Sequence, residues 1–243
     1  MEEKTELYSV DNSILNDAID RVVVKLHGLN KRSGAKVFLL SGAGVNAGTT
    51  TVAINMAISL AAAGWKTAFV DCDFRKDQQY KRIAASEGSS LTGYLSGKIS
   101  EMDKIICSTN LDNLDFIAAG KENSNPVRLL ANAKMEQLIG RLKDKYDYVI
   151  IDTPSVSIAN DAELMMPYVD NYMLVVGMQC TTKKQLVKSR LQLSDYEDKF
   201  IGVIANKMGL MQYRFDVGDY DYFSSQNLLD KQNKGMNKKK GRC

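Results

Sequence analysis

The sequence has no run approaching the ~20 consecutive apolar residues of a membrane span, and its polar first residues do not read as a secretion signal. An integral membrane protein is therefore not expected, and the cytoplasm is. The four cysteines, Cys72, Cys107, Cys180 and Cys243, are scattered without a C-x-x-C pair. That spacing suits a reducing compartment and gives neither a disulfide framework nor a structural zinc site. Cys243 is the last residue of the sequence, so no prenylation box is expected. Basic excess is missing from most of the chain. Lys231–Cys243 holds five lysines and one arginine with no acid, so the rest carries −3 of a net +3. The body is not a nucleic-acid surface, and no nucleic-acid partner is expected. There is no internal repeat. The 243 residues, 44% hydrophobic and 25% charged, suffice for one large globular domain or two small ones.

What is present is organised around Lys36–Ala63, KVFLLSGAGVNAGTTTVAINMAISLAAA. Lys36–Ser41 is an apolar run without a breaker and predicts a buried strand. Thr49–Ala63 carries Val52, Met56, Ile58 and Leu60 at helical spacing and stops at Gly64, a C-cap residue. Between them, Gly42–Gly48 is small throughout. A strand, a glycine-rich loop and a helix make a phosphate site: loop N–H groups curl round an anion and the helix N-terminus adds positive partial charge. Aligning the second glycine of G-x-x-x-x-G-K-[ST] on Gly48 puts Ala43 at the first glycine, Thr49 at the lysine and Thr50 at the magnesium hydroxyl. Asn46 stands where many such loops have glycine, and asparagine tolerates positive φ better than most residues. The cradle is predicted to form, without the lysine that reaches the β- and γ-phosphates.

The remaining chain alternates strands and helices. Asn12 or Ser13 can cap a helix whose apolar face is Ile14, Ala18, Val22, Leu26 and Leu29. Strands are predicted at Lys66–Asp71, Leu114–Ala118, Tyr148–Asp152, Tyr172–Gly177 and Ile201–Ala205. Helices are predicted near Ser90–Leu95 and Glu101–Ile106, from Pro126, and at Ala133–Lys145, Asp161–Pro167 and Thr182–Tyr196. Strands apolar on both faces and alternating with helices predict an α/β fold, a mostly parallel sheet flanked by helices on both faces. Ligands of such sheets bind at the strands' C-terminal ends. Gly42–Gly48, Asp71–Arg75, Asp152–Pro154 and Asn206 all fall there. Three divisions are expected: an N-terminal helical segment over 1–34, a core over 35–207, and a tyrosine-containing, basic tail over 208–243. The tail is expected to be loose, because residues 224–243 lack apolar content.

Asp71 and Asp73 lie two apart at a strand end, and a continuing strand would turn both carboxylates to one face. Two carboxylates near a triphosphate can hold magnesium, and one can accept a proton from an attacking hydroxyl. Asp152 ends another apolar strand, the usual place in a P-loop enzyme of the carboxylate that reaches magnesium through water. Each alone reads more readily as a strand-end aspartate capping the next turn; their joint occurrence with the loop reverses that preference in favour of the cation.

With these motifs in view, the chain resembles the bacterial tyrosine kinases of capsule and exopolysaccharide assembly, the CpsD/CapB/Wzc family. The family's Walker A′ motif, an apolar strand followed by D-x-D-x-R, is similar to Ala68–Arg75, and its Walker B to Val149–Pro154. GYLSGKISEMDKI, the LDNLDFIAAGKENSNPVRLL stretch, Asn160-Asp161-Ala162, Leu174–Lys184 and Ile204-Ala205-Asn206-Lys207 follow in family order, over roughly residues 12–207. The resemblance implies a P-loop NTPase fold of the MinD/ParA-like class, binding of ATP or ADP with Mg2+, and γ-phosphoryl transfer to tyrosine. It implies that Gly44, Asn46, Ala47, Gly48, Thr49, Thr50 and Thr51 hold the nucleotide and Asn206 contacts adenine. It assigns Thr50, Asp71 and Asp152 to the metal, and Asp71 and Asp73 to catalysis. Tyr213, Tyr220 and Tyr222, set among Asp216, Asp219 and Asp221, would be the phosphoacceptors. A membrane adaptor, the chain-length regulator of polysaccharide export, and a homo-oligomeric ring would be its partners, holding it at the inner face of the membrane.

The chain departs from the family pattern in three places. Thr49 replaces the lysine. Arg128 stands in PVRLL where glutamate is usual. The E-x-x-R-x-x-R subunit contact becomes Asp17, Asp20 and Val23. Three readings follow: an active autokinase with a substitute cation such as Lys76 or Lys183; a pseudokinase acting as nucleotide-binding regulator or scaffold; and a partition-type ATPase. The last is disfavoured because Gly44 occupies the place of its extra lysine.

Overall fold

A computed structural model of the chain describes residues 13–75, 89–120 and 125–209. Tyr213, Tyr220, Tyr222, Lys76 and the basic end lie outside the described residues. One compact unit runs to Asn206; of the residues after it, only 207–209 are described.

Seven strands form one sheet: β1 (Val37–Gly42), β2 (Thr67–Asp71), β3 (Cys107–Ser108), β4 (Leu114–Ile117), β5 (Tyr148–Thr153), β6 (Asn171–Gly177) and β7 (Phe200–Asn206). Their order across the sheet is β3-β4-β2-β5-β1-β6-β7. Every pairing is parallel except β3 with β4. The short antiparallel β3 was not expected; two residues show no periodicity that a sequence pattern can register. The helices are α1 (Ser13–Ser33), α2 (Thr49–Ala62), α3 (Leu91–Leu95), α4 (Pro126–Leu130), α5 (Ala133–Lys145), α6 (Asp161–Met165) and α7 (Lys183–Gln192).

The central strands are buried along their whole length, as their continuous apolar runs require. Alternation divides each strand between two cores. Phe38, Leu40, Phe69, Ile150 and Met173 face α1 and α2, meeting Met56, Leu60 and Leu26. Val37, Leu39, Val70, Val149, Ile151 and Leu174 face the opposite layer, with Leu91, Leu130, Met135, Leu138 and Leu142. Emptying such a site, as in Leu40→Ala, costs about 2–5 kcal/mol because the packed surroundings relax only in part.

Helix α1 presents a different face from the one expected. Ile19, Val23 and Leu26 are buried, with Leu15, Val22 and Leu29 partly covered. The run Val22-Val23-Val24 leaves the helix's rotation undetermined by pattern alone; packing on α2 chooses Val23 and leaves Val24 exposed. Helix α7 is also shorter than expected. It ends at Gln192, and a 3-10 segment continues over Ser194–Lys199, where Tyr196 leaves helical φ/ψ.

Candidate functional site

The loop between β1 and α2 lies at the C-terminal edge of the sheet. Asn46 holds φ 59° and Gly48 φ 85°. These positive-φ corners on either side of Ala47 bend the loop into the start of α2, whose first-turn donors an anion can satisfy. Gly48 is the N-cap and offers no side-chain acceptor to those donors. Close packing sets two other glycines. A Cβ on Gly42 would lie 2.9 Å from the Gly44 carbonyl oxygen and 3.0 Å from Thr49 Oγ1. A Cβ on Gly44 would lie 3.2 Å from Thr181 Oγ1 and 3.5 Å from Gln185 Cδ. The place of the partition ATPases' extra lysine is thus walled by the segment after β6. Thr49, Thr50 and Thr51 form the half-buried first turn of α2.

The loop is braced from several directions. The Ala43 N–H donates to the Val175 carbonyl at 2.9 Å. Ser155 Oγ donates to the Gly42 carbonyl at 2.7 Å, and buried Ser189 Oγ donates to the Ala43 carbonyl at 3.0 Å. Asn206 Nδ2 donates to the Ala47 carbonyl at 2.9 Å, so the residue expected at adenine also fastens the end of β7 to the loop. Cys180 Sγ lies 3.4 Å from the Asn46 carbonyl oxygen. Lys183, proposed from sequence as a substitute cation, opens α7 just beyond these contacts and is exposed.

The carboxylates are arranged differently from the sequence expectation. Strand β2 does not continue to Asp73. Asp71 Oδ1 accepts the Asp73 N–H at 2.9 Å, and Asp73 Oδ1 accepts the Arg75 N–H at 3.1 Å. These two successive Asx turns end the ladder, because the aspartate side chains take the place of a neighbouring strand. The in-register pair is instead Asp71 with Asp152, on adjacent parallel strands β2 and β5. Both are buried and stand on the sheet face that α2 covers, in line with Leu40. Two carboxylates at neighbouring strand ends, beside the positive end of a helix, are a donor set for a hard divalent cation.

Sequence reading assigned no role to Arg75 or Asp161. Arg75 Nε lies 3.0 Å from Asp161 Oδ2, and its Nη2 2.7 Å from Asp161 Oδ1. The hydrogen-bonded Asp161 carboxylate raises the Arg75 pKa above its ordinary value, against the opposing effect of burial. The available signal was the arginine of D-x-D-x-R together with Asn160-Asp161-Ala162. Neither motif states that the two meet across 86 residues.

The residues present fit a nucleotide with magnesium in two respects. The loop has positive-φ corners that a phosphate cradle requires, and Asp71 and Asp152, with the hydroxyl of Thr50 on α2, are oxygen donors of the kind magnesium takes. They do not supply the cradle's cationic side chain, because position 49 is threonine.

Residues 41–181 match the AAA domain family. The chain is 32% identical over 189 residues to the tyrosine-protein kinase CpsD of Streptococcus agalactiae, covering 76% of this chain and 81% of that one. The chain belongs to the bacterial tyrosine-protein kinase family. The kinase domain of the Escherichia coli tyrosine kinase ETK superposes with a TM-score of 0.74 at 28% identity, over 79% of this chain and 74% of that one. MinD of Pyrococcus horikoshii, at 21% identity and a TM-score of 0.58, covers 72% of this chain and 71% of that one, and shares the fold. The expected α/β architecture of the P-loop NTPase, MinD-like class is therefore the observed one.

Within the kinase family pattern, the altered α1 residues are committed inside the chain. Val23 is 4% exposed in the core, and Asp20 Oδ1 accepts a hydrogen bond from Ser59 Oγ of α2 at 2.6 Å. Arg128 is exposed on α4. No helix among the described residues is long and apolar enough to cross a membrane.

Proposed function

We propose that this chain binds ATP or ADP with magnesium at Gly44–Thr51 and transfers the γ-phosphoryl group, slowly, to tyrosines of its own tail, in capsular or exopolysaccharide assembly. The observation that carries this reading is the in-register pair Asp71 and Asp152 on the face covered by α2, whose N-terminus closes the glycine loop. In this reading the N–H groups of residues 46–51 hold the phosphates. Thr50, Asp71 and Asp152 hold the metal. Asp73, at the mouth of the turn, orients the acceptor hydroxyl and takes its proton. Magnesium, when bound, draws charge from the transferring group. Asn206, anchored on Ala47, borders the base. Tyr213, Tyr220 and Tyr222 are the acceptors, and a membrane adaptor of the export machinery is the partner.

Thr49 favours a second reading, a nucleotide-binding regulator without turnover. A preorganised cation is missing where charge develops on the transferring group. The purified chain with labelled ATP and magnesium separates the two. Phosphate on Tyr213, Tyr220 or Tyr222 by mass spectrometry supports the kinase. Magnesium-dependent ADP binding without incorporation supports the regulator. No calorimetric heat at millimolar ADP and magnesium overturns both.

A further inference from the structure

The Arg75–Asp161 fork joins two strand ends that carry like charges. Asp161 opens α6, and its side chain is fully buried, whereas that of Arg75 is 41% exposed. A carboxylate so buried requires a fixed cation, and a planar guanidinium bonded through two nitrogens holds it in one orientation. From the guanidinium the connection runs inward. The Arg75 N–H is bonded to the Asp73 carboxylate, and the Asp73 N–H to that of Asp71. On the other side, Asp161 follows the turn after β5, where the Ala159 N–H bonds the Ser155 carbonyl and Ser155 Oγ bonds Gly42 of the loop. Asn160 Oδ1 accepts from Gln192 Nε2 of α7, and α7 carries the Ser189 brace to Ala43. Past the last ladder contact, the Cys72 N–H on the Asp152 carbonyl at 2.8 Å, the fork is a side-chain bond between the segments that follow Asp71 and Asp152.

We infer that Arg75 and Asp161 are positioning residues for the metal carboxylate: their fork fixes the turn through Asp73 and so holds Asp71 in the orientation that receives the divalent cation. The inference rests on the nucleotide-and-magnesium reading above. It also removes Arg75 from the cations available to replace the lysine absent at position 49, since its guanidinium is committed to the buried carboxylate.

The test compares the full chain with Arg75→Lys and Arg75→Gln. ADP affinity is measured by calorimetry with magnesium and with chelator, and circular dichroism follows the fold. Substituting the half-exposed partner spares the buried one, and Arg75→Lys keeps the charge while losing the fork. Both variants are expected to lose about ten- to a hundredfold in the magnesium-dependent gain of ADP affinity, the range for residues that orient metal ligands. Affinity in chelator should stay within about twofold, because the loop N–H groups are untouched. Arg75→Lys behaving as the unsubstituted chain would overturn the fork's role in favour of charge alone. An equal loss with magnesium and with chelator would overturn it in favour of general loosening. If the unsubstituted chain shows no magnesium-dependent ADP binding, the nucleotide reading fails and this inference falls with it. Magnesium dependence that survives Arg75→Gln refutes the positioning role alone.

Discussion

Restoring the absent cation is the sharpest perturbation of this site. Thr49 is the first residue of α2, and its Oγ1 lies against the backbone of Gly42, at the entry to the loop. Threonine offers one short neutral donor there. Lysine in its place adds a charge on a four-carbon stem that can span the cradle. A hydrogen bond to a charged group is worth about 1.5–3 kcal/mol. At 1.4 kcal/mol per decade, Thr49→Lys should tighten magnesium–ADP binding about ten- to a hundredfold. The effect on transfer should be larger, because charge grows on the moving phosphoryl group. One preorganised donor of this kind is commonly worth about 10²–10³ in rate. Replacing a β-branched residue by lysine does not weaken the helix, so lost folding does not offset the gain. Calorimetry gives the affinity, and phosphotyrosine incorporation under single-turnover conditions gives the rate. Unchanged affinity would refute the placement of the phosphates over α2. A tighter complex with unchanged transfer would refute the kinase reading and leave the regulator.

Two further outcomes are expected. Asp152→Asn removes one of two carboxylates in register on neighbouring strands, where like charges cost up to about 1 kcal/mol. Without magnesium its Tm should therefore rise by about 2–4 °C, while the rise that magnesium with ADP gives the unsubstituted chain should disappear; a variant that magnesium–ADP still stabilises refutes the ligand assignment. At the opposite end of the sheet, burial would raise the Asp170 carboxyl, but hydrogen bonds from Lys143 Nζ and the N–H groups of Lys36 and Val37 outweigh it and hold its pKa below the ordinary 3.8. The folded form binds this proton less readily than the unfolded form, so the stabilisation is complete above the ordinary value and is lost as pH falls through the folded one. Asp170→Asn should cost about 1–2 kcal/mol in urea unfolding at pH 7 and progressively less as the pH is taken below the ordinary 3.8; a cost that stays constant over that descent would show that the charge is not what matters.

The layout of the sheet was legible because its signals are local. Five breaker-free apolar runs and the strand–loop–helix of Lys36–Ala63 each declare themselves within a few residues, and Asn46 and Gly48 mark the turns by backbone chemistry alone. The family resemblance rests on motifs of the same short range. What the sequence left open depends on contacts between distant segments. Whether Val22, Val23 or Val24 turns inward is decided by the surface of α2, since three adjacent valines satisfy more than one helical stripe. A strand running on past Asp71 would put Asp73 on the same face; the aspartates' bonds to their own backbone stop it. The pairing of Asp71 with Asp152 is a matter of strand order, which places β5 between β2 and β1. The Arg75–Asp161 fork and the Ser155, Ser189 and Asn206 braces join residues 86 to 159 apart. Residue type alone specified a glycine-rich loop between strand and helix and acidic strand ends. Only the fold decided which acids stand together and which cation is already engaged, because chain distance carries no information about neighbours across a parallel sheet.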